Sequence, residues 1–250
     1  MSPGLRPHGE PPAYFTFAGL EALGLPHATT TRRCPGMAPF SAPAGPFTPE
    51  AGRTLAQAGL DLSRVAYARQ VHGAEVARAA PGGGLAGQAD ILVTAERAVP
   101  LAIFTADCLA MTLWDADARA LALAHVGWRG TVRGATQAAV AALVGLGARP
   151  ERVRVAIAPS IGPCCYEVDE PVTSGLASAY PRRWERWVVP ARPGHVMLDL
   201  WTANEELLRG AGIDPANIEN PRVCTACRGD LFYSYRKGHR GRLATLAALP

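Results

Sequence analysis

The sequence is short of lysine, with Lys237 alone among 25 basic residues, and it carries only six histidines and six cysteines in 250 residues. Each shortage excludes something. The formal charge of +4 is small for this length, and no Lys/Arg block or basic-aromatic interleaving accompanies it, so no surface that tracks nucleic acid is expected. The longest apolar runs, such as "LALAHV" and "ATQAAVAALVGLG", fall short of the roughly 20 residues that span a bilayer. The opening "MSPGLRPHGEPPAYF" lacks the contiguous apolar core of an export signal, so the expectation is a soluble, cytoplasmic protein with no membrane partner. Six cysteines are too few for a disulfide scaffold of this size, and the adjacent Cys164 and Cys165 are awkward for one, so reduced thiols are expected.

What the chain does have is apolar content, 48 % of its residues, which suffices for one large core. We read a single domain over residues 1–250. Residues 1–12 and 33–50 are rich in Pro, Gly and Ala without apolar period, and read as loop, the first as a loose N-terminal extension. Between Arg64 and Val126 lie short β-leaning runs, "RVAYARQVH", "EVARAA", "DILVT", "LAIFT", "LAMTLWD" and "RALALAHV", broken by "PGGGLAGQ", "ERAVP" and "DADAR". The "DADA" break reads as a hairpin connection, which makes its flanking strands antiparallel. Residues 131–147 have helical spacing and a closing glycine, "RVRVAIAPSIG" reads as a strand, and "DLWTANEELLRGAGI" has an Asp cap and an apolar helical series. The tail "LFYSYRKGHRGRLATLAAL" reads as a strand, a basic turn and a last apolar segment. Strands first and helices later point to α+β with mixed, partly antiparallel sheets.

The chemistry gathers at strand ends. "RQVHG" offers His72, "TADC" offers Cys108, and "AHVGWRG" offers His125 where a strand becomes a helix. Histidine and cysteine hold zinc, and three protein ligands with a fourth position open are the pattern of a catalytic site. The rival use of the same atoms is a metal-free Cys108–His dyad, with the thiolate as nucleophile. Asp107 sits beside Cys108, but strand alternation points it away, so a turn contact is the plainer role. Cys224 and Cys227 form one CxxC, which lacks two further ligands on its own.

The motifs "RQVHG", "TADC", "HVGWRG", "IGPCCYEV" and "FYSYR...GR", in this order from about Thr29 to Leu246, resemble the bacterial YfiH/YlmD-like family, once labelled polyphenol oxidase or laccase-domain. The resemblance implies a layered αββα fold similar to a bacterial deamidating toxin. It implies a zinc-dependent enzyme that phosphorolyses adenosine, inosine, guanosine and methylthioadenosine and deaminates adenosine, its partners being a nucleoside and phosphate. It puts the metal ligands on His72, Cys108 and His125, and it sets Cys164, Cys165 and Glu167 in a turn that shapes the pocket wall. By the same resemblance Arg32 of "TTTR" lies near phosphate or sugar, although "RRCPG" replaces the family's usual Gly-Gly turn there. Trp128 and Arg129 shape the pocket or its support, with Arg129 as an anion contact or a carbonyl-bonding structural arginine. The old oxidase label implies copper, and His2Cys with a weak axial ligand suits a mononuclear copper site. A multicopper enzyme needs several histidine-rich motifs, which six histidines do not supply.

Overall fold

A computed structural model describes residues 4–36 and 45–250. Its centre is the hairpin of Leu109–Asp115 and Ala120–Val126, paired antiparallel with Ala120 opposite Asp115 and His125 opposite Ala110. Asp115 Oδ1 closes the turn by accepting the N–H groups of Asp117 and Ala118 at 3.0 and 3.1 Å. Every residue of both strands is buried, because both faces are covered.

Three sheets form. The hairpin lies in a six-stranded sheet ordered Ile218–Glu219, Arg154–Ile157, Leu109–Asp115, Ala120–Val126, Ile91–Thr94, Val76–Arg78. A seven-stranded sheet runs Leu5–His8, Tyr14–Phe17, His27–Thr30, Leu243–Ala247, Leu101–Thr105, Ala66–Arg69, Gly84–Gln88. Both mix parallel and antiparallel pairs. A small third sheet joins Glu167–Val168, Val196–Leu198 and Val188–Pro190.

Strand alternation divides the side chains between two cores. Ala110, Trp114, Leu121 and Leu123 face the seven-stranded sheet and pack with Phe15, Leu101, Ile103 and Leu243. Burying a leucine such as Leu121 contributes about 1.5–3 kcal/mol. Met111, Leu113, Ala122 and Ala124 face the other way, toward Ala139 and Leu143 of helix Ala135–Val144 and Leu207 of helix Leu200–Gly210. Beyond the seven-stranded sheet, Leu55 of helix Pro49–Ala56 packs with Ala102, Phe104 and Ala244. The layers are therefore αββα, as expected. By the same parity Cys108 and His125 fall on the side between the two sheets.

Several local expectations differ. Residues 5–8 are a strand rather than loop, held on Tyr14–Phe17 by full antiparallel pairing. Of the expected loop 33–50, residues 37–44 lie outside the described residues and Pro49 already opens a helix. The expected helix 131–147 is two helices, Trp128–Val132 and Ala135–Val144, separated where Gly134 takes φ 80°. "GLAGQ", read as a break, is an exposed edge strand paired parallel to Ala66–Arg69. "LFYSY" is turn rather than strand, because the Phe232 N–H bonds back to the Arg228 carbonyl at 2.8 Å. Among the described residues no helix is long and apolar enough to cross a membrane.

A candidate metal centre at the end of the sheet sandwich

Three segments end at one place. Strand Ala120–Val126 delivers His125, the turn before Leu109–Asp115 delivers Cys108, and the turn after Ala66–Arg69 delivers His72. Their ligand atoms all lie within 4.8 Å of one another, and the two imidazoles meet edge to face with centroids 4.8 Å apart. His125 is buried, Cys108 half-buried and His72 exposed, so the group opens to one side. Gly127 makes room for it, since a Cβ there would stand 2.8 Å from Cys108 Sγ.

Asp90, which the sequence reading did not single out, organises this arrangement. It is fully buried at the start of Ile91–Thr94, and its Oδ1 accepts His125 Nδ1–H at 2.7 Å. The same carboxylate accepts three successive backbone N–H groups, from Val71 at 3.1, His72 at 3.0 and Gly73 at 2.7 Å. That grip holds the turn in which His72 takes φ 58°. Gln70 completes it by donating to the Phe104 carbonyl at 2.7 Å and accepting the Phe104 N–H at 2.8 Å. With Nδ1 committed to Asp90, His125 keeps Nε2 for the cavity, which is how ligating histidines are oriented.

Charge reinforces the geometry. Burial pushes the Cys108 thiol up, but hydrogen bonds and attraction from His125 and His72 outweigh it and bring its pKa down to about 6. Burial pushes His125 down, yet Asp90 and Cys108 raise it to about 9. The metal-free protein therefore holds a thiolate beside the His125 imidazolium, a charge pair that a divalent cation replaces when His125 gives up its Nε2 proton. The donor set of two imidazole nitrogens and one thiolate fits a borderline-soft cation.

The trio borders a cavity of about 760 Å³. Four guanidinium groups line it, those of Arg69, Arg129, Arg236 and Arg242, with Trp128, Tyr166 and Tyr235. Arg129 lies over the Trp128 ring at 4.4 Å and Arg236 over the Tyr166 ring at 5.5 Å, and among the described residues no carboxylate forms an ion pair with either. Tyr166 is kept protonated, since burial first and the nearby Cys108 charge second push its phenol up. Asp107, the acidic wall residue, accepts from Thr225 Oγ1 at 2.6 Å, Ser234 Oγ at 3.0 Å and the Arg236 N–H at 2.7 Å. It ties loops together, the turn contact anticipated for it.

Not every expected residue arrives. Arg32 is absent from the cavity lining; its Nη1 donates to the Gly229 carbonyl at 2.6 Å and its guanidinium lies 5.3 Å over Tyr233. The Arg32 N–H on the Leu231 carbonyl at 2.8 Å fixes it to that segment. Arg69, Tyr166, Tyr235, Arg236 and Arg242 were not picked out individually as cavity residues: Arg69 ends strand Ala66–Arg69, and the other four lie within the motifs "IGPCCYEV" and "FYSYR...GR", where no single position stands out as a cavity group.

Fold and site together define a two-sheet sandwich whose end carries a His2Cys centre beside a cationic, aromatic cavity. The chain belongs to the YfiH/YlmD-like family: residues 50–250 match the family model described as "Multi-copper polyphenol oxidoreductase laccase". A purine nucleoside phosphorylase of Deinococcus radiodurans is 38% identical over 241 residues, covering 91% of this chain and 90% of that protein. The adenosine deaminase RL5, from an unknown prokaryotic organism, is 34% identical over 75% of this chain and 76% of its own length. Among solved structures, YlmD of Geobacillus stearothermophilus superposes with a TM-score of 0.84 at 27% identity, over 97% of this chain and 98% of that one. YfiH of Bacillus licheniformis superposes at 0.87 over 99% and 100%, and at 23% identity that likeness speaks for the fold.

Proposed function

We propose that the chain is a zinc-dependent purine nucleoside phosphorylase that also deaminates adenosine, with His72, Cys108 and His125 as the metal ligands. The observation that carries this reading is the convergence of those three donors at the edge of a cavity otherwise walled by arginine and aromatic rings. The relatives named for phosphorolysis and for adenosine deamination support both activities. When bound there, zinc supplies a fixed positive charge and Lewis acidity.

The chain's own groups do the rest. In phosphorolysis the bond from ribose C1′ to the purine nitrogen breaks, a phosphate oxygen bonds C1′, and the purine leaves with an electron pair that must be protonated. Arg129 and Arg236 hold the phosphate, where planar guanidinium groups suit a tetrahedral anion. Trp128 and Tyr235 offer faces to the purine, and the protonated Tyr166 donates a hydrogen bond to the departing base. Arg32 stays engaged with Gly229, so the phosphate role expected of it passes to these cavity arginines. Adenosine, inosine, guanosine and methylthioadenosine are the substrates to assay.

A second reading rests on the depressed Cys108 and raised His125, the pair a metal-free nucleophilic hydrolase requires. Chelation separates the two. A zinc phosphorylase loses base release on metal removal and regains it with zinc, whereas the Cys–His enzyme keeps its activity and dies on thiol alkylation. Metal analysis that returns one copper per chain would replace zinc with a mononuclear copper centre. Among the described residues His8, His27, His195 and His239 join no metal-ligating group, which speaks against the histidine-rich sites of a multicopper enzyme.

A further inference from the structure

The CxxC that lacked partners in the sequence has them in the fold. Cys164 and Cys165 sit in the tight turn of "IGPCC", closed by the Cys165 and Tyr166 N–H groups on the Gly162 carbonyl at 3.0 and 3.1 Å. Cys224 and Cys227 bracket a second turn, closed by the Arg228 N–H on the Cys224 carbonyl at 3.1 Å. A bridge between Ser160 and Cys224 sets the two turns side by side. All four sulfurs then lie within 4.8 Å of one another, with Cys227 Sγ 3.5 Å from both Cys164 Sγ and Cys165 Sγ.

We propose that Cys164, Cys165, Cys224 and Cys227 form a second metal site, a four-thiolate centre that takes a zinc-like divalent cation and staples the two turns. Four sulfurs at zinc-ligand distances of about 2.3 Å in a tetrahedron stand about 3.8 Å apart, and the sulfurs here already approach that spacing. A disulfide would select one partner for Cys227, whereas two sulfurs stand equally near it and all four are free thiols. Packing does not account for them either, since a cysteine used as a small apolar filler is buried, and Cys164 and Cys227 are exposed. The Gly162 N–H points at Cys224 Sγ at 3.3 Å, a donor that favours sulfur as thiolate. On binding, the four thiol protons leave to solvent.

Four protein ligands leave no open position, so the site is structural and distinct from the His2Cys centre. Its position gives it a consequence for the cavity. One stapled turn carries Ile161 and Tyr166 of the cavity wall, and the other carries Thr225, which holds Asp107. The turn's seat is fixed by Trp201, whose Nε1–H donates to Ser160 Oγ at 2.7 Å.

The test is zinc content of full-length protein purified under reductant from zinc-supplemented cells. Wild type is expected to hold two zinc per chain, and the combined His72→Ala, Cys108→Ala, His125→Ala variant one. Adding Cys224→Ser and Cys227→Ser to that variant removes the last. Cobalt loaded into the triple variant should show intense thiolate-to-metal charge transfer, which a site without thiolates cannot give. Alkylation of native wild type decides the matter without variants. These four cysteines should resist iodoacetamide until a chelator is added. One zinc or none in wild type with all four thiols freely alkylated, or a disulfide to Cys227 in reduced preparations, overturns the proposal. Loss of zinc from the trio alone leaves it standing and counts against the proposed function instead.

Discussion

At the scale of single residues, Asp90 organises the group formed by His72, Cys108 and His125. It is buried and satisfies four donors at once. Asp90→Ala strands those donors and leaves His125 without its partner, a loss of about 3–5 kcal/mol of the kind seen when a buried pair is broken. Zinc affinity should fall about 10–100-fold even where the protein stays folded, because the imidazole loses its fixed orientation. Titration with a competing chelator, beside denaturant melts, measures both; unchanged affinity in folded Asp90→Ala would contradict the role given to it. Gly127→Ala makes a subtler case. Its Cβ meets Cys108 Sγ at 2.8 Å, so metal occupancy should drop while the far-ultraviolet spectrum stays that of wild type. His72→Ala, Cys108→Ala and His125→Ala should each lose the zinc of the His2Cys centre with the fold retained, and full occupancy of it in all three would exclude the trio. The trio that the structure brings together could be picked out in the sequence because each residue stands at the polar end of an apolar run and within a family motif. Asp90 was not, since "GQADILVT" reads as a turn residue before a strand and nothing local says that its carboxylate turns back to the "QVHG" turn.

At the scale of elements, legibility followed the pairing rules. The hairpin around "DADA" could be read because two seven-residue apolar runs flank an Asx-closed turn, and helix Leu200–Gly210 because Asp199 caps it by accepting the Thr202 N–H at 2.9 Å. Strand Leu5–His8 could not, since "LRPH" has no apolar period and exists by virtue of its partner Tyr14–Phe17. That partner's other edge carries a testable contact. His27 accepts the Phe17 N–H on Nε2 at 2.7 Å and donates from Nδ1 to the Leu25 carbonyl at 2.7 Å, using both nitrogens of a neutral ring. Burial holds its pKa below the usual 6.5. The folded state therefore binds fewer protons here than the unfolded one, so this contribution is complete above about pH 6.5 and is lost as pH falls toward the folded pKa. Denaturation of zinc-loaded protein at about pH 7.5 and about pH 5 should show less acid loss in His27→Gln than in wild type. An equal loss in both would remove His27 from the account.

At the scale of the whole molecule, the sandwich places two sheets so that their ends, rather than their faces, build the site. The family motifs in the sequence pointed to that fold and to the trio, but not to which arginines share the cavity, because three separate parts of the chain supply them: the end of strand Ala66–Arg69, helix Trp128–Val132 and the segment 236–242. Arg129→Ala should raise the phosphate KM roughly ten- to hundredfold, the cost of one charge-assisted contact of about 1.5–3 kcal/mol, with little change in nucleoside KM. Arg32→Ala should leave phosphate dependence close to wild type; a large rise there and none in Arg129→Ala would return the anion site to the Arg32 segment.

One assay tests zinc-dependent phosphorolysis most directly: release of hypoxanthine from inosine by zinc-loaded protein, with and without phosphate, before and after metal removal. Base release is expected only when phosphate and zinc are both present, with ribose 1-phosphate formed in equal amount. Base released equally fast without phosphate, or by protein stripped of its metal, would contradict it.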